Sequence, residues 1–203
     1  LAFMCERAAG WPFRHLVEAC INELAGADSP DALELFSRVP QQLLGRTAPT
    51  TPMLEDRRRG RRLAGEVHDN YAAALGGLAG HAGLFGTARA LGRYARLLLR
   101  AQHGDRSLPT PFTPELVSTA TTRSTVPESS RALGWDTMKA TSSCGSRLSP
   151  SAFGHAGFTG TSLWIDPARD RYYVLLSNRV CDGGTSEEMQ LLRRAFHDTA
   201  AAL

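Results

Sequence analysis

A chain of 203 residues, 42% hydrophobic and 21% charged, carries enough apolar surface for one ordinary core or two small ones, which excludes a disordered tail, a collagen-like repeat and a coiled coil. Its 23 lysines and arginines against 20 acidic residues leave a formal net charge of +3, too small an excess to demand a nucleic-acid partner. No apolar run approaches the roughly 20 residues that cross a bilayer, so no membrane-spanning segment is expected. Cys5, Cys20, Cys144 and Cys181 stand too far apart for a C-x-x-C metal or redox pair, and free thiols are the default.

Residues 1–9 are rich in apolar side chains and stop at Gly10; Glu6 and Arg7 interrupt them, so they do not read as a signal peptide. Pro12 suits the first turn of a second helix, in which Phe13, Leu16, Val17, Cys20, Ile21 and Leu24 recur at offsets of three and four. Residues 26–65, broken by Pro30, Pro40, Pro49 and Pro52, predict a long surface excursion with one short helix at 31–36. Arg57, Arg58, Arg59, Arg61 and Arg62 lack interleaved aromatics, so a solvated loop is preferred to a phosphate-binding patch.

Five glycines within residues 74–86 imply tight turns or the close approach of another element. Thr87 can cap a helix that turns Leu91, Tyr94, Ala95 and Leu98 inward and ends near Gly104. Strands are predicted at residues 132–138 and 158–166, the second joined through a turn at 166–170 to a partner at 172–176. Thr185 and Glu188 form a capping box for a closing helix with Met189, Leu192, Phe196, Thr199 and Leu203 as its inner stripe. Helices, then three strands and a last helix, predict an α+β fold with an antiparallel sheet flanked by helices.

Two histidines stand in glycine-rich surroundings. His81, with His68 and Asp69, lacks the spacing of known zinc sites, so hydrogen-bonding roles for His68 and His81 and no metal are expected. His155 lies between Gly154 and the pair Ala156, Gly157 at the start of a strand rich in Thr and Gly. Two readings stay open: an edge strand along which a ligand backbone lies, or a histidine that satisfies a loop carbonyl.

Residues 65–70 (Gly, Glu, Val, His, Asp, Asn), 76–88 and 153–167, with the following Leu175, Leu176, Ser177, Asn178 and Arg179, resemble the serine β-lactamase-like hydrolases. This penicillin-binding-protein superfamily includes class C β-lactamases, D-alanyl-D-alanine carboxypeptidases, esterases and cell-wall-recycling hydrolases. The resemblance implies a β-lactamase/transpeptidase-like fold and an acyl-enzyme mechanism without metal or cofactor. His155, Ala156 and Gly157 take the place of the family's third motif, Lys or His, then Thr or Ser, then Gly. On that reading His155 is a proton relay or electrostatic aid, the N–H of Phe158 is one of two oxyanion donors, and Ala156, Gly157 and Thr159 line the substrate. Ala156 departs from the pattern by losing a hydroxyl that helps hold a substrate carboxylate.

Lys139 is the single lysine, and Asp136 stands three residues before it, so no Ser-x-x-Lys pair exists; a Tyr-x-Asn motif is missing too. The resemblance then implies that residues 1–203 are the carboxy-terminal portion of one β-lactamase-like domain, with the first strands and the Ser-x-x-Lys helix missing. Such a chain is expected to be inactive alone, its partners being the missing amino-terminal portion and a small-molecule or peptide substrate: an amide, β-lactam or ester, related to cell-wall peptides. The alternative is a degenerate, non-catalytic interaction module of the same fold.

Overall fold

A computed structural model describes residues 1–25, 34–109, 111–181 and 183–203. They fall into two units, Leu1–Ala90 and Leu91–Leu203, which are taken in turn.

In the first unit, helix α1 (Ala2–Ala9) ends where Gly10 takes a left-handed φ of 70° and its N–H closes on the Glu6 carbonyl. Helix α2 (Phe13–Ala25) begins at Pro12 as expected: the Pro12 carbonyl accepts from His15 and Leu16, and the Glu6 carboxylate accepts the Phe13 N–H at 2.8 Å. The expected helix at 31–36 needs correction. Residues 31–33 lie outside the described residues, while β1 (Leu35–Phe36) pairs antiparallel with β2 (Phe85–Gly86). Gly86 permits this approach, since a Cβ there would stand 2.5 Å from Leu35 Cδ2 and 2.8 Å from the Glu34 carbonyl oxygen. The stretch up to residue 65 is also less superficial than expected, because Thr50 and Leu63 exchange two backbone hydrogen bonds and bury Leu63 completely.

Of the arginine run, Arg57, Arg59, Arg61 and Arg62 are exposed, as expected of a solvated loop, and only Arg58 is half-buried. Arg58 forks onto the buried Asp56 carboxylate, at 2.6 Å for its closest oxygen, and donates to the carbonyls of Val67 and His68. Hydrogen bonds from the Arg58 side chain and backbone hold the Asp56 carboxyl at about 2. Arg61 pairs with Glu66 at 2.6 Å. After the short helix α3 (Asn70–Ala74) the glycine-rich stretch folds back on itself at Ala79 and Ala82, and Gly83, at φ 116°, lies where a Cβ would stand 2.3 Å from the Gly77 carbonyl oxygen. Only glycine fits there.

Helix α4 (Ala88–Gln102) starts beneath Thr87, whose hydroxyl accepts the Ala90 N–H, and buries Ala95, Leu98 and Leu99. Within the second unit, α5 (Pro114–Thr121) precedes an antiparallel sheet in the order β3 (Asp136–Thr137), β4 (Phe153–Ala156), β5 (Ser162–Asp166), β6 (Arg171–Leu175). The sheet has four strands where three were expected. The strand predicted at 132–138 shrinks to two residues, because Gly134 at φ 80° and the bond from Ala132 N–H to the Trp135 carbonyl make a turn of the rest. The strand predicted at 158–166 begins only at Ser162, while the hairpin with β6 pairs Trp164 with Tyr173 and Asp166 with Arg171.

One sheet face carries Trp164 and Tyr173 against α6 (Ser186–Ala200), with Cys144, Leu148, Ala152 and Ala201 completing the cluster. On the other face Phe153 meets Trp135 edge-on at 5.2 Å, and Trp135 stacks on Tyr94. None of the four cysteines is in a disulfide; Cys144 is fully buried and desolvation pushes its thiol up to about 12, whereas the others are half-buried. The capping box at Thr185 and Glu188 is present with both of its hydrogen bonds. The inner stripe of α6 differs from expectation: Met189, Arg193 and His197 are buried, and Leu192 and Thr199 are exposed. Two polar residues face inward because they have partners there, His197 Nε2 standing 2.9 Å from Ser162 Oγ.

Burial, helped by the Arg193 charge, pushes the His197 imidazole down from 6.5 to about 4. An unfolded chain takes up this proton near 6.5, so the associated stability is whole above that pH and is lost as pH falls towards the folded value of about 4. Urea unfolding at pH 5 should therefore give a free energy lower than at pH 7 by about 2 kcal/mol from this group. His197→Phe should flatten the pH dependence between these values, and an unchanged slope in that variant would contradict the assignment.

Candidate active site

Strand β4 pairs with β5 along its whole length but with β3 only at Phe153 and Gly154. From His155 onward its β3 side has no ladder among the described residues, so β4 is an inner strand at its start and an edge strand at its end. Gly154 lets it lie flat on β5, since a Cβ there would stand 2.3 Å from the Leu163 carbonyl oxygen and 2.5 Å from the Trp164 ring. His155 follows, exposed, with Nδ1 3.0 Å from the Ala156 carbonyl oxygen. A carbonyl only accepts, so Nδ1 carries the proton and Nε2 keeps the lone pair of the neutral ring. His155 thus bonds a carbonyl of its own strand, not of a loop, and stands where that strand has an open edge.

The strand runs into a tight turn. Gly157 N–H donates to the Thr161 carbonyl at 2.7 Å and Gly160 N–H to the Gly157 carbonyl at 3.1 Å. A Cβ at Gly157 would stand 2.3 Å from Thr161 Oγ1, which explains the glycine. Two arginines hold the turn from outside it. Arg179 donates from its backbone to the Thr159 carbonyl (2.8 Å) and from Nε to the Phe158 carbonyl (2.7 Å), and its guanidinium lies 4.2 Å above the Phe158 ring. Arg193 donates from Nη2 to the carbonyls of Gly157 (2.5 Å) and Thr161 (3.0 Å).

The five residues singled out from sequence are therefore contiguous in space: His155 and Ala156 close the strand, and Gly157, Phe158 and Thr159 form the turn. Phe158 is 62% exposed, and Ala156, Gly157 and Thr159 are half-buried. Sequence reasoning gave no role at the turn to Arg179 or Arg193. Arg179 closed the motif after β6 and Arg193 hid in a helix read for its apolar stripe.

In the first unit the hydrogen-bonding roles expected for its histidines are seen at His81, whose Nε2 lies 3.1 Å from Asp69 Oδ1, while Asp69 caps α3 (Asn70–Ala74) through the Ala72 N–H at 2.7 Å. Burial raises the Asp69 carboxyl, but the Ala72 N–H and His81 outweigh it and hold the group below its usual value. Among the described residues no cluster of three or more His, Cys, Asp or Glu is placed to hold a metal ion, and no helix is long and apolar enough to cross a membrane.

The antiparallel sheet backed by α6 belongs to a fold that this chain shares with solved β-lactamase and penicillin-binding-protein-like structures. The chain matches the Beta-lactamase family over residues 1–196 and belongs to it. It is 36% identical over 122 residues to an Escherichia coli K12 protein named "Putative D-alanyl-D-alanine carboxypeptidase", an alignment that takes in 58% of this chain and 27% of the relative. A Salmonella gallinarum protein of the same name is 36% identical over 123 residues, with the same coverage. The chain thus spans about a quarter of the length of these curated relatives.

Among solved structures, a β-lactamase from Mycobacterium bovis superposes with a TM-score of 0.57 at 21% identity, over 100% of this chain and 60% of the other. A penicillin-binding protein homologue from Caulobacter crescentus gives 0.62 at 19% identity, over 98% and 55%. Simvastatin synthase from Aspergillus terreus gives 0.64 at 16%, over 99% and 53%. At these identities the likeness is one of fold.

Proposed function

We propose that this protein is a serine hydrolase that acts through an acyl-enzyme on an amide, β-lactam or ester, a class that takes in cell-wall peptides, and that residues 1–203 are the carboxy-terminal portion of one β-lactamase-like domain. The observation that carries this reading is the open end of β4, where His155, Ala156 and the turn at Gly157, Phe158 and Thr159 stand along one edge held by two arginines. Membership of the Beta-lactamase family and the carboxypeptidase names of the relatives support the hydrolase reading.

The nucleophile is assigned to residues outside this sequence, because no serine here has a lysine three positions on. A substrate laid along β4 brings its carbonyl to the turn, where the Phe158 N–H donates to the oxygen that becomes negative in the tetrahedral intermediate. His155, with its proton on Nδ1, offers Nε2 as an acceptor for the proton released by the attacking hydroxyl. Ala156, Gly157 and Thr159 line the substrate along this edge. Ala156 offers no hydroxyl to a substrate carboxylate, which favours substrates that do not depend on one.

Intact-mass measurement after incubation with a chromogenic β-lactam or a nitrophenyl ester tests this reading on two samples, the full-length gene product and the 203-residue chain. A covalent adduct on the former and none on the latter is the expected result. A full-length protein that forms no adduct and turns over neither compound would be a non-catalytic module of the same fold. A stable adduct on a serine of the 203-residue chain would place the nucleophile here and overturn the assignment of a carboxy-terminal portion.

A further inference from the structure

Arg193 is 9% exposed, and its guanidinium ends on two carbonyl oxygens; among the described residues no carboxylate pairs with it, and its Nε is buried without a partner. A buried cation held by neutral carbonyls is an expensive arrangement. Desolvation and the neighbouring Arg179 charge both press its pKa below the usual arginine value. A merely structural staple of this turn could be made by a neutral donor, so the charge calls for a reason.

The geometry supplies one. The carbonyl that Arg193 grips at 2.5 Å is that of Gly157, and the other end of the same peptide plane is the N–H of Phe158. In a trans peptide the two groups point in opposite directions, so anchoring the oxygen towards α6 aims the N–H away from it, to the open side of the turn. A charge-assisted bond on the oxygen also draws electron density from the nitrogen and strengthens the N–H as a donor. The second bond, to the Thr161 carbonyl at 3.0 Å, fixes the far side of the turn, so the plane cannot swing. His197, one helical turn on and bonded to Ser162, packs beside this cation as a neutral ring at physiological pH and leaves its charge uncancelled.

We infer that Arg193 is a positioning residue for acyl transfer: through the Gly157 to Phe158 peptide it aims and polarises the N–H that receives the oxyanion. This rests on the acyl-enzyme reading above and adds to it a residue that never touches substrate.

The test uses the full-length gene product and a pair of nitrophenyl substrates that differ only in carrying a carbonyl or a thiocarbonyl. Sulfur accepts N–H poorly, so the ester to thionoester ratio of kcat/KM reports the oxyanion contact, while a general loosening of the fold slows both alike. Arg193→Gln should lower kcat for the ester at least about tenfold with little change in KM, and should reduce the ratio at least about threefold. Arg193→Lys, which keeps the charge, should hold the ratio within about twofold of wild type. A folded, active Arg193→Gln with the wild-type ratio overturns the inference, as does an Arg193→Lys whose ratio falls as far as that of Arg193→Gln. Where Arg193→Gln does not fold, Arg193→Met, which also removes the charge but keeps a long unbranched side chain, is read in its place: a ratio lowered at least about threefold supports the inference, and a wild-type ratio in the folded, active variant overturns it. A wild-type protein that processes neither substrate overturns the hydrolase reading itself, a result distinct from the failure of Arg193 alone.

Discussion

His155→Ala in the full-length protein is expected to lower kcat/KM for acylation by at least about tenfold, and towards the ~10²–10⁴ typical of a lost acid-base group if the ring moves the proton itself. Its stability should hardly change, by less than about 1 kcal/mol, because the side chain is exposed and its hydrogen bond runs to the neighbouring Ala156 carbonyl. The contrast is His81→Ala. His81 pairs with the Asp69 carboxylate that caps α3, so its loss should show in the stability of the first unit, by up to about 1 kcal/mol for a partly exposed pair, and not in chemistry. Steady-state kinetics and urea unfolding of the two variants separate the roles. Wild-type kcat/KM in His155→Ala, with the catalytic loss appearing in His81→Ala, would reverse the assignment of the two histidines.

The largest loss of stability is expected from Trp164→Ala. Trp164 is fully buried between Gly154, on whose strand it bears directly, and the cluster of Cys144, Leu148, Tyr173 and Ala201 under α6. Removing so large a ring takes away its transfer free energy and leaves a cavity that a sheet pinned on both sides closes poorly, a cost of about 3–5 kcal/mol. Trp164→Phe, which keeps an aromatic body, should cost markedly less. Because β4 rests on this ring, Trp164→Ala should also reduce hydrogen-exchange protection at residues 153–156 ahead of that in α4. A loss below about 1 kcal/mol would mean that the indole is not part of the core that supports the strand.

What was legible in the sequence is what is decided within a few residues. The stop at Gly10, the start at Pro12, the Thr87 cap, and the Thr185 and Glu188 capping box are local backbone chemistry, and each stands where its residues say. Pairing between distant segments was not legible. Leu35 and Phe36 look helical by neighbourhood but form a strand because Gly86, fifty-one positions from Leu35, lets them approach. The inner face of α6 was misread for a related reason: apolar periodicity selected Leu192, whereas Arg193 and His197 face inward to partners on the β4–β5 turn and on Ser162.

The site divides along the same line. The five residues proposed for it could be singled out because they are consecutive in the chain, and the resemblance of that motif to β-lactamase-like hydrolases agrees with the family match. The groups that hold them could not. Arg179 grips the Phe158 carbonyl from 21 positions away and Arg193 the Gly157 carbonyl from 36, and neither spacing carries a pattern that a linear reading can recognise.

The most direct test of the account is a crystal structure of the full-length protein inactivated by a phosphonate or boronate that mimics the tetrahedral intermediate. The account predicts one oxygen of the adduct about 2.7–3.1 Å from the Phe158 nitrogen, with the inhibitor lying along the His155 to Gly157 edge of β4. An adduct whose oxygen is held by other donors, with the end of β4 untouched, would contradict it.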